Sequence, residues 1–237
     1  MITKKLDKEH AMILCGHGSR DIDYMNEMIN LKKKLEDKFK YDVFNCFIEI
    51  NEPLIDDCIY EVIHKYKKIS FFPLLLFDGK HMIIDIKKKI NYLSEKFKKR
   101  IDLVEKLSLI RDILPNMKDI ISKSNYKKYD TLITSCSFSK NKTVLDQLEN
   151  YTNKLSSSLN IRNKIFHFVG DEVMVLTELK KLEIKNIILH PIFFFNGFLF
   201  KKNVSHFEKC FKTMRIFPIA HYDPIIKIIS EKLIRSI

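Results

Sequence analysis

The sequence predicts an α/β fold made of two similar, doubly wound parallel-sheet lobes. Short apolar runs alternate with amphipathic stretches along all 237 residues. Each apolar run feeds a stretch with helical spacing, which favours parallel pairing through crossover helices. A segment of the first half also recurs, residue type by residue type, in the second.

In chain order, Ala11–Cys15 reads as the first strand, and Tyr24, Met28, Leu31, Leu35 and Phe39 fall on one helix face after it. Val43–Ile50 is the second strand, with Leu54, Cys58, Val62 and Tyr66 at helical spacing behind it. Ile69–Phe77 is the third, followed by Ile83, Ile86, Ile90, Leu93 and Phe97, and Ile101–Val104 is the fourth. In the second half, strands at Thr131–Thr134, Lys164–Val169, Asn186–Phe195 and Arg215–Ile219 alternate with helices at Thr143–Leu155, Glu172–Leu182, Val204–Phe211 and Pro224–Ile234. The repeat is clearest between Ile69–Gly79 and Ile187–Gly197, an offset of 118 (191 − 73) that reads as duplication. The boundary falls in the polar stretch Ser122–Lys128, giving lobes of residues 1–124 and 125–237.

Composition narrows the function. The net charge is +12, yet only six of the 42 basic residues are Arg and the lysines run along the whole chain, a solvated surface rather than a nucleic-acid stripe. The longest apolar run, Phe71–Phe77, is far below the ~18 residues of a membrane span, and the charged start Met1–Glu9 has no signal-peptide core. A cytoplasmic protein without nucleic-acid or membrane partners, monomer or homodimer, is the expectation. The five cysteines include no Cys-x-x-Cys pair and read as free buried thiols. A Walker loop and a Gly-x-Gly-x-x-Gly turn are both missing from the sequence, which removes the usual grounds for ATP or NAD.

The chemistry gathers at His17, Glu49 and His81, each near the end of an apolar run and separated by equal intervals (49 − 17 = 32; 81 − 49 = 32). One strand, one helix and their connections fill such an interval, so the three meet at one edge of a parallel sheet. Two imidazoles and a carboxylate are a metal-ligand set. Taken alone, His17 also reads as a hydrogen-bonded turn residue and Glu49 as a strand residue facing solvent. Gly16 and Gly18 let the backbone turn sharply around His17, and Ser19 and Asp21 suit a helix cap. Glu49, inside an apolar run, needs a cation, metal or proton to offset desolvation. Glu52 suits the start of the next helix. Arg20 and Lys80 are candidates for pairing with anionic groups, or plain surface charges. The other six histidines lack paired spacing and read as surface or core residues.

The fragments Met12-Ile-Leu-Cys-Gly-His-Gly-Ser-Arg20, Phe47-Ile-Glu-Ile-Asn-Glu-Pro53 and Phe72-Pro-Leu-Leu-Leu-Phe-Asp-Gly-Lys-His81 resemble, in that order and spacing, the long form of the sirohydrochlorin chelatases. These class II tetrapyrrole chelatases insert Co2+ or Fe2+ in cobalamin or sirohaem synthesis. The resemblance is clearest over residues 10–125. It implies ATP-independent metal insertion in a cleft between the lobes, with His17, Glu49 and His81 holding the metal and accepting protons. It further implies that Ser19, Arg20 and Lys80 face the polycarboxylate sirohydrochlorin. The second lobe then reads as degenerate: at the 118 offset His81 falls on Leu199, Glu49 on His167, and Gly16-His17-Gly18 near Ser135-Cys136-Ser137. Two alternatives stand beside this reading. One is a non-catalytic metal or tetrapyrrole carrier. The other is phosphoryl transfer through His17, weakened because histidine phosphatases carry Arg before the His where this chain has Gly16.

Overall fold

The computed structural model describes residues 8–39, 41–98 and 101–236, without the side chains of Lys8 and Ile83. Residues 1–7 of the charged start, and the Ile83 side chain expected on the third helix, lie outside the described residues.

The chain builds two four-stranded parallel sheets of identical order. The first runs β2-β1-β3-β4, with β1 at Lys8–Gly16, β2 at Asp42–Phe47, β3 at Tyr66–Pro73 and β4 at Ile101–Leu103. The second runs β6-β5-β7-β8, with β5 at Thr131–Cys136, β6 at Asn163–Phe168, β7 at Asn186–Pro191 and β8 at Lys212–Arg215. The chain divides into two compact units. One holds β1–β4 and takes Lys80–Lys106 and the C-terminal stretch from Ile226; the other holds β5–β8 and takes Leu76–Gly79 and Leu107–Ile225.

Each sheet is covered on both faces, which is why its central strands are apolar throughout rather than alternating. In the first, Ala11, Ile13 and Cys15 of β1 join a buried cluster with Ile55, Cys58, Ile59 and Val62 of α2 (Ile55–Val62) and with Ile90 and Leu93 of α3 (Lys89–Phe97). Met12 and Leu14 alternate to the opposite face. There α1 (Ile22–Phe39) buries Met28, Leu31 and Leu35, and Asn45 of β2 donates to the Met28 carbonyl at 3.4 Å. In the second sheet, Ile133, Ile187 and Leu189 pack with Val175 and Leu179 of a helix at Glu172–Lys181 and with Val204 and Phe207 of a helix at Phe198–Glu208. The other face meets a long helix, Lys142–Leu159, through Thr134–Thr152 and Tyr151–His190 hydrogen bonds. In chain order the remaining helices are α4 (Leu114–Ser122), α5 (Lys142–Leu159), α6 (Glu172–Lys181), α7 (Phe198–Glu208) and α8 (Asp223–Ile234). Among the described residues no helix is long and apolar enough to cross a membrane.

Several expected element ends move. The strand expected to reach Phe77 stops at Pro73, and the one expected to reach Phe195 stops at Pro191; each proline lacks an N–H for the ladder, and one more bond follows it, from the Leu74 N–H to the Cys15 carbonyl at 2.8 Å and from the Ile192 N–H to the Ser135 carbonyl at 2.7 Å. The apolar residues beyond them, Leu74, Leu76, Ile192, Phe194 and Phe195, are buried as loop packing. The second strand ends at Phe47 rather than Ile50, Tyr66 starts a strand instead of closing a helix, and the last strand is the polar edge segment Lys212–Arg215 rather than Arg215–Ile219. Cys210 is exposed, whereas the other four cysteines are buried.

Strand register also corrects the internal comparison. Gly16 pairs with Phe47 in the first sheet and Cys136 with Phe168 in the second. Gly16-His17-Gly18 therefore corresponds to Cys136-Ser137-Phe138, and Glu49, two residues past Phe47, corresponds to Gly170 rather than His167. The match of His81 with Leu199 stands, each eight residues past the closing proline (81 − 73 = 199 − 191). His167 instead lies in the core, its Nδ1 bonded to the Phe168 carbonyl at 2.8 Å and its ring against Phe207.

His190 ties stability to pH. It is buried on β7 with Nε2 2.9 Å from the Tyr151 hydroxyl, and burial pushes its imidazole down to about 3 from an ordinary 6.5. The folded value lies below the unfolded one, so this stability is present above about pH 6.5 and is lost as the pH falls, at up to about 1.4 kcal/mol per unit. Urea unfolding should show that decline between pH 6.5 and 5, and His190→Asn should flatten it; an unchanged slope would show that His190 is not held neutral.

Candidate metal centre

The site begins with the way β1 ends. Gly18 has φ +107°, and a Cβ there would lie 1.9 Å from the Glu49 carbonyl oxygen, so only glycine fits this turn. A Cβ on Gly16 would meet the Tyr24 hydroxyl at 2.6 Å. That hydroxyl in turn accepts from the Gly18 N–H at 3.3 Å, fastening the turn to α1. Ser19 donates its backbone N–H to Asn51 Oδ1 at 2.6 Å and accepts from the Asp21 N–H through Oγ, while Asp21 Oδ1 accepts from the Asp23 N–H and caps α1.

Glu49 is placed by the sheet, although it lies beyond it. The ladder between β1 and β2 runs two steps past the strands: the Ile48 N–H donates to the Gly16 carbonyl at 3.0 Å and the Glu49 N–H to the His17 carbonyl at 3.1 Å. Ile50 then takes φ 73°, a left-handed conformation costly for a β-branched residue, and the reversal lets Asn51 N–H reach the Glu49 carbonyl at 2.8 Å. The carboxylate is 52% exposed, contrary to the expectation of a charge inside an apolar run. Glu52 accepts from the Leu54 N–H at 3.2 Å just before α2.

His81 arrives from the loop after β3. It is the first residue of a π-helical segment, His81–Lys88, that continues directly into α3. β1 and β3 are neighbours at the switch point of the sheet, where doubly wound folds bind ligands.

The three groups converge within the first unit. One donor atom from each of His17, Glu49 and His81 lies within 4.8 Å of the others. The imidazole Nε2 atoms are 3.2 Å apart, with rings edge to face, and His17 Nδ1 is 3.7 Å from Glu49 Oε1. Two ligands sharing an ion through bonds of about 2.1 Å stand about 3.0–3.4 Å apart, so the Nε2 separation is that of a shared cation. Burial, then the neighbouring His81, holds the His17 imidazole below its ordinary value against the opposing pull of Glu49. A neutral ring with a free lone pair at neutral pH is the form that ligates metal.

Of the residues expected to face an anionic ligand, Ser19 is engaged in its turn, Arg20 is exposed, and Lys80 is exposed at the mouth of a cavity of about 310 Å3. Glu49, Leu54, His81, Asp85 and Lys89 also line that cavity, and Lys89 pairs with Asp56 at 2.6 Å. Sequence reasoning missed Asn51, which holds the Ser19 N–H, and Asp85, whose Oδ2 is 2.7 Å from His81 Nδ1. For Asp85 the signal was present: an acid four residues after a histidine at the start of a helix shares its face.

Residues 11–124 match the family model CbiX. Over 80 residues the chain is 35% identical to a sirohydrochlorin cobaltochelatase of Methanococcus maripaludis, covering 33% of this chain and 56% of that protein. The chain thus spans about half the length of the curated relative it matches. SirB from Bacillus subtilis, solved with Fe3+, has a TM-score of 0.75 at 17% identity, covering 96% of this chain and 95% of that one. The sirohydrochlorin chelatase SirB of Bacillus subtilis subspecies spizizenii, in complex with cobalt, gives 0.74 at 16% with the same coverage. At such identities the likeness is one of fold, and it extends over both sheets. The family match, over residues 11–124, falls on the half of the chain that carries the three converging donors.

Proposed function

We propose that this protein inserts a divalent metal, Co2+ or Fe2+, into sirohydrochlorin without ATP, in cobalamin or sirohaem synthesis in the cytoplasm. Residues 1–124 form the catalytic lobe and residues 125–237 a degenerate second lobe. The observation that carries this reading is the His17–Glu49–His81 convergence, with its 3.2 Å Nε2 separation, inside the segment matched by the family.

The metal is a substrate, so it must be held loosely and from one side. Two imidazoles and one carboxylate leave its remaining positions open to the macrocycle nitrogens, and they lack the grip of thiolates. The nearby Cys46 thiol does not compete, because burial and then its contacts with Cys15 and Cys58 push it well above the ordinary range and keep it protonated. Insertion also releases two pyrrole protons. As the ion passes to the macrocycle, the freed imidazoles and the Glu49 carboxylate stand where those protons leave, and His17 is kept neutral to receive one. The net charge of +12 draws in a polycarboxylate, and Lys80, which lines the cavity beside His81, with Arg20, three residues after His17, would meet it.

The test is turnover. Protein, Co2+ and sirohydrochlorin mixed with the protein at about one-hundredth of the substrate concentration should convert the tetrapyrrole spectrum completely. Conversion that halts at one equivalent per protein would instead make this a carrier.

A further inference from the structure

The two histidines of the centre are not equivalent, and the difference lies in one neighbouring carboxylate. Asp85 Oδ2 is 2.7 Å from His81 Nδ1, the length of a charge-assisted hydrogen bond. A neutral imidazole has one N–H, so a proton on Nδ1 facing Asp85 leaves a lone pair on Nε2. That Nε2 is the atom 3.2 Å from His17 Nε2. His17 has no carboxylate at that distance: its Nδ1 is 3.7 Å from Glu49, beyond hydrogen-bond reach, and the backbone hydrogen bond its ring makes is to Gly18.

We propose that Asp85 is a positioning residue that fixes His81 as the Nδ1–H tautomer, so that its Nε2 lone pair is aimed at the metal before the metal arrives. The inference rests on the reading that His17, Glu49 and His81 hold that metal. Asp85 suits the task because it stands four residues from His81 on one continuous helical segment, His81–Phe97, and little freedom is lost in forming the bond.

The second sheet supplies a comparison within the same chain. At the offset that carries His81 onto Leu199, Asp85 falls on Asn203 (85 + 118). Asn203 is buried and bonded to Ser135 at 2.9 Å and to Glu172 at 3.3 Å, as part of a core polar network. Where the histidine is absent the carboxylate is absent too, and the position serves packing. A carboxylate kept for helix stability alone has no reason to follow the histidine.

Partners of this kind govern metal affinity by about 10–100-fold. Co2+ alone, titrated by its visible absorption, should bind Asp85→Ala that much more weakly than the parent, while Asp85→Glu stays within about threefold and all three melt together. Long-range 1H–15N spectra of the metal-free proteins should place the His81 proton on Nδ1 in the parent and shift it toward Nε2 in Asp85→Ala. Parental Co2+ affinity in Asp85→Ala, or an unmoved His81 proton, overturns the proposal, provided His17→Ala and His81→Ala both lose Co2+. If those two variants also bind at parental strength, it is the triad reading that has failed, and the role of Asp85 falls with it.

Discussion

His81→Ala is expected to slow Co2+ insertion into sirohydrochlorin by at least about 100-fold, the least that removal of a positioned proton acceptor costs. His17→Ala should do the same, because the two Nε2 atoms act as a pair 3.2 Å apart and neither alone defines the cation position. Melting should barely change. Both side chains are about 40% exposed, and what His81→Ala removes from the fold is its contacts with His17 and Asp85 at the surface. The control is Ser137→Ala, which alters the residue standing in the second sheet where His17 stands in the first and should retain activity within about twofold. Comparable losses from Ser137→Ala and His81→Ala, measured as initial rates per folded molecule, would place the active half wrongly.

What the sequence made legible was what period and spacing encode. Buried parallel strands are apolar on both faces, so they stood out as runs, and each residue of the triad lay at or just past the end of one. Strand ends were less legible because apolar content reports burial, not hydrogen bonding. Leu74, Leu76 and Phe195 are as buried as the strands they follow, and the informative residues were Pro73 and Pro191. One helix escaped notice although Leu109, Ile113, Met117 and Ile121 recur every four residues and Ser108 caps them by accepting from the Arg111 N–H. Pro115 and the charges around it broke the apparent run. The comparison between halves went astray at Glu49 because the two repeats keep different spacings. β3 and β7 are offset by 118 residues, but β1 and β5 by 120 (135 − 15). Only strand pairing reveals this. Asp85 shows the remaining limit: its position four residues from His81 was visible, but which imidazole nitrogen it reaches is a matter of side-chain geometry.

Glu49→Gln tests whether the third member of the centre works through its charge. The substitution keeps shape, and the backbone that places residue 49 does not depend on the side chain, since its N–H bonds the His17 carbonyl and its carbonyl accepts from Asn51. A buried ion pair broken at this point would cost about 3–5 kcal/mol. Glu49 is instead half exposed and 3.7 Å from a neutral imidazole, so the exposed-pair figure of about 0–1 kcal/mol applies and the melting temperature should hardly move. Activity should move a great deal. An amide neither neutralises the cation nor accepts a pyrrole proton, and the insertion rate is expected to fall by about 100-fold, with weaker Co2+ binding beside it. Thermal unfolding measured alongside initial insertion rates separates the two roles: a large drop in melting temperature with normal turnover per folded molecule would make Glu49 an anchor of the loop and leave the two histidines to hold the metal alone.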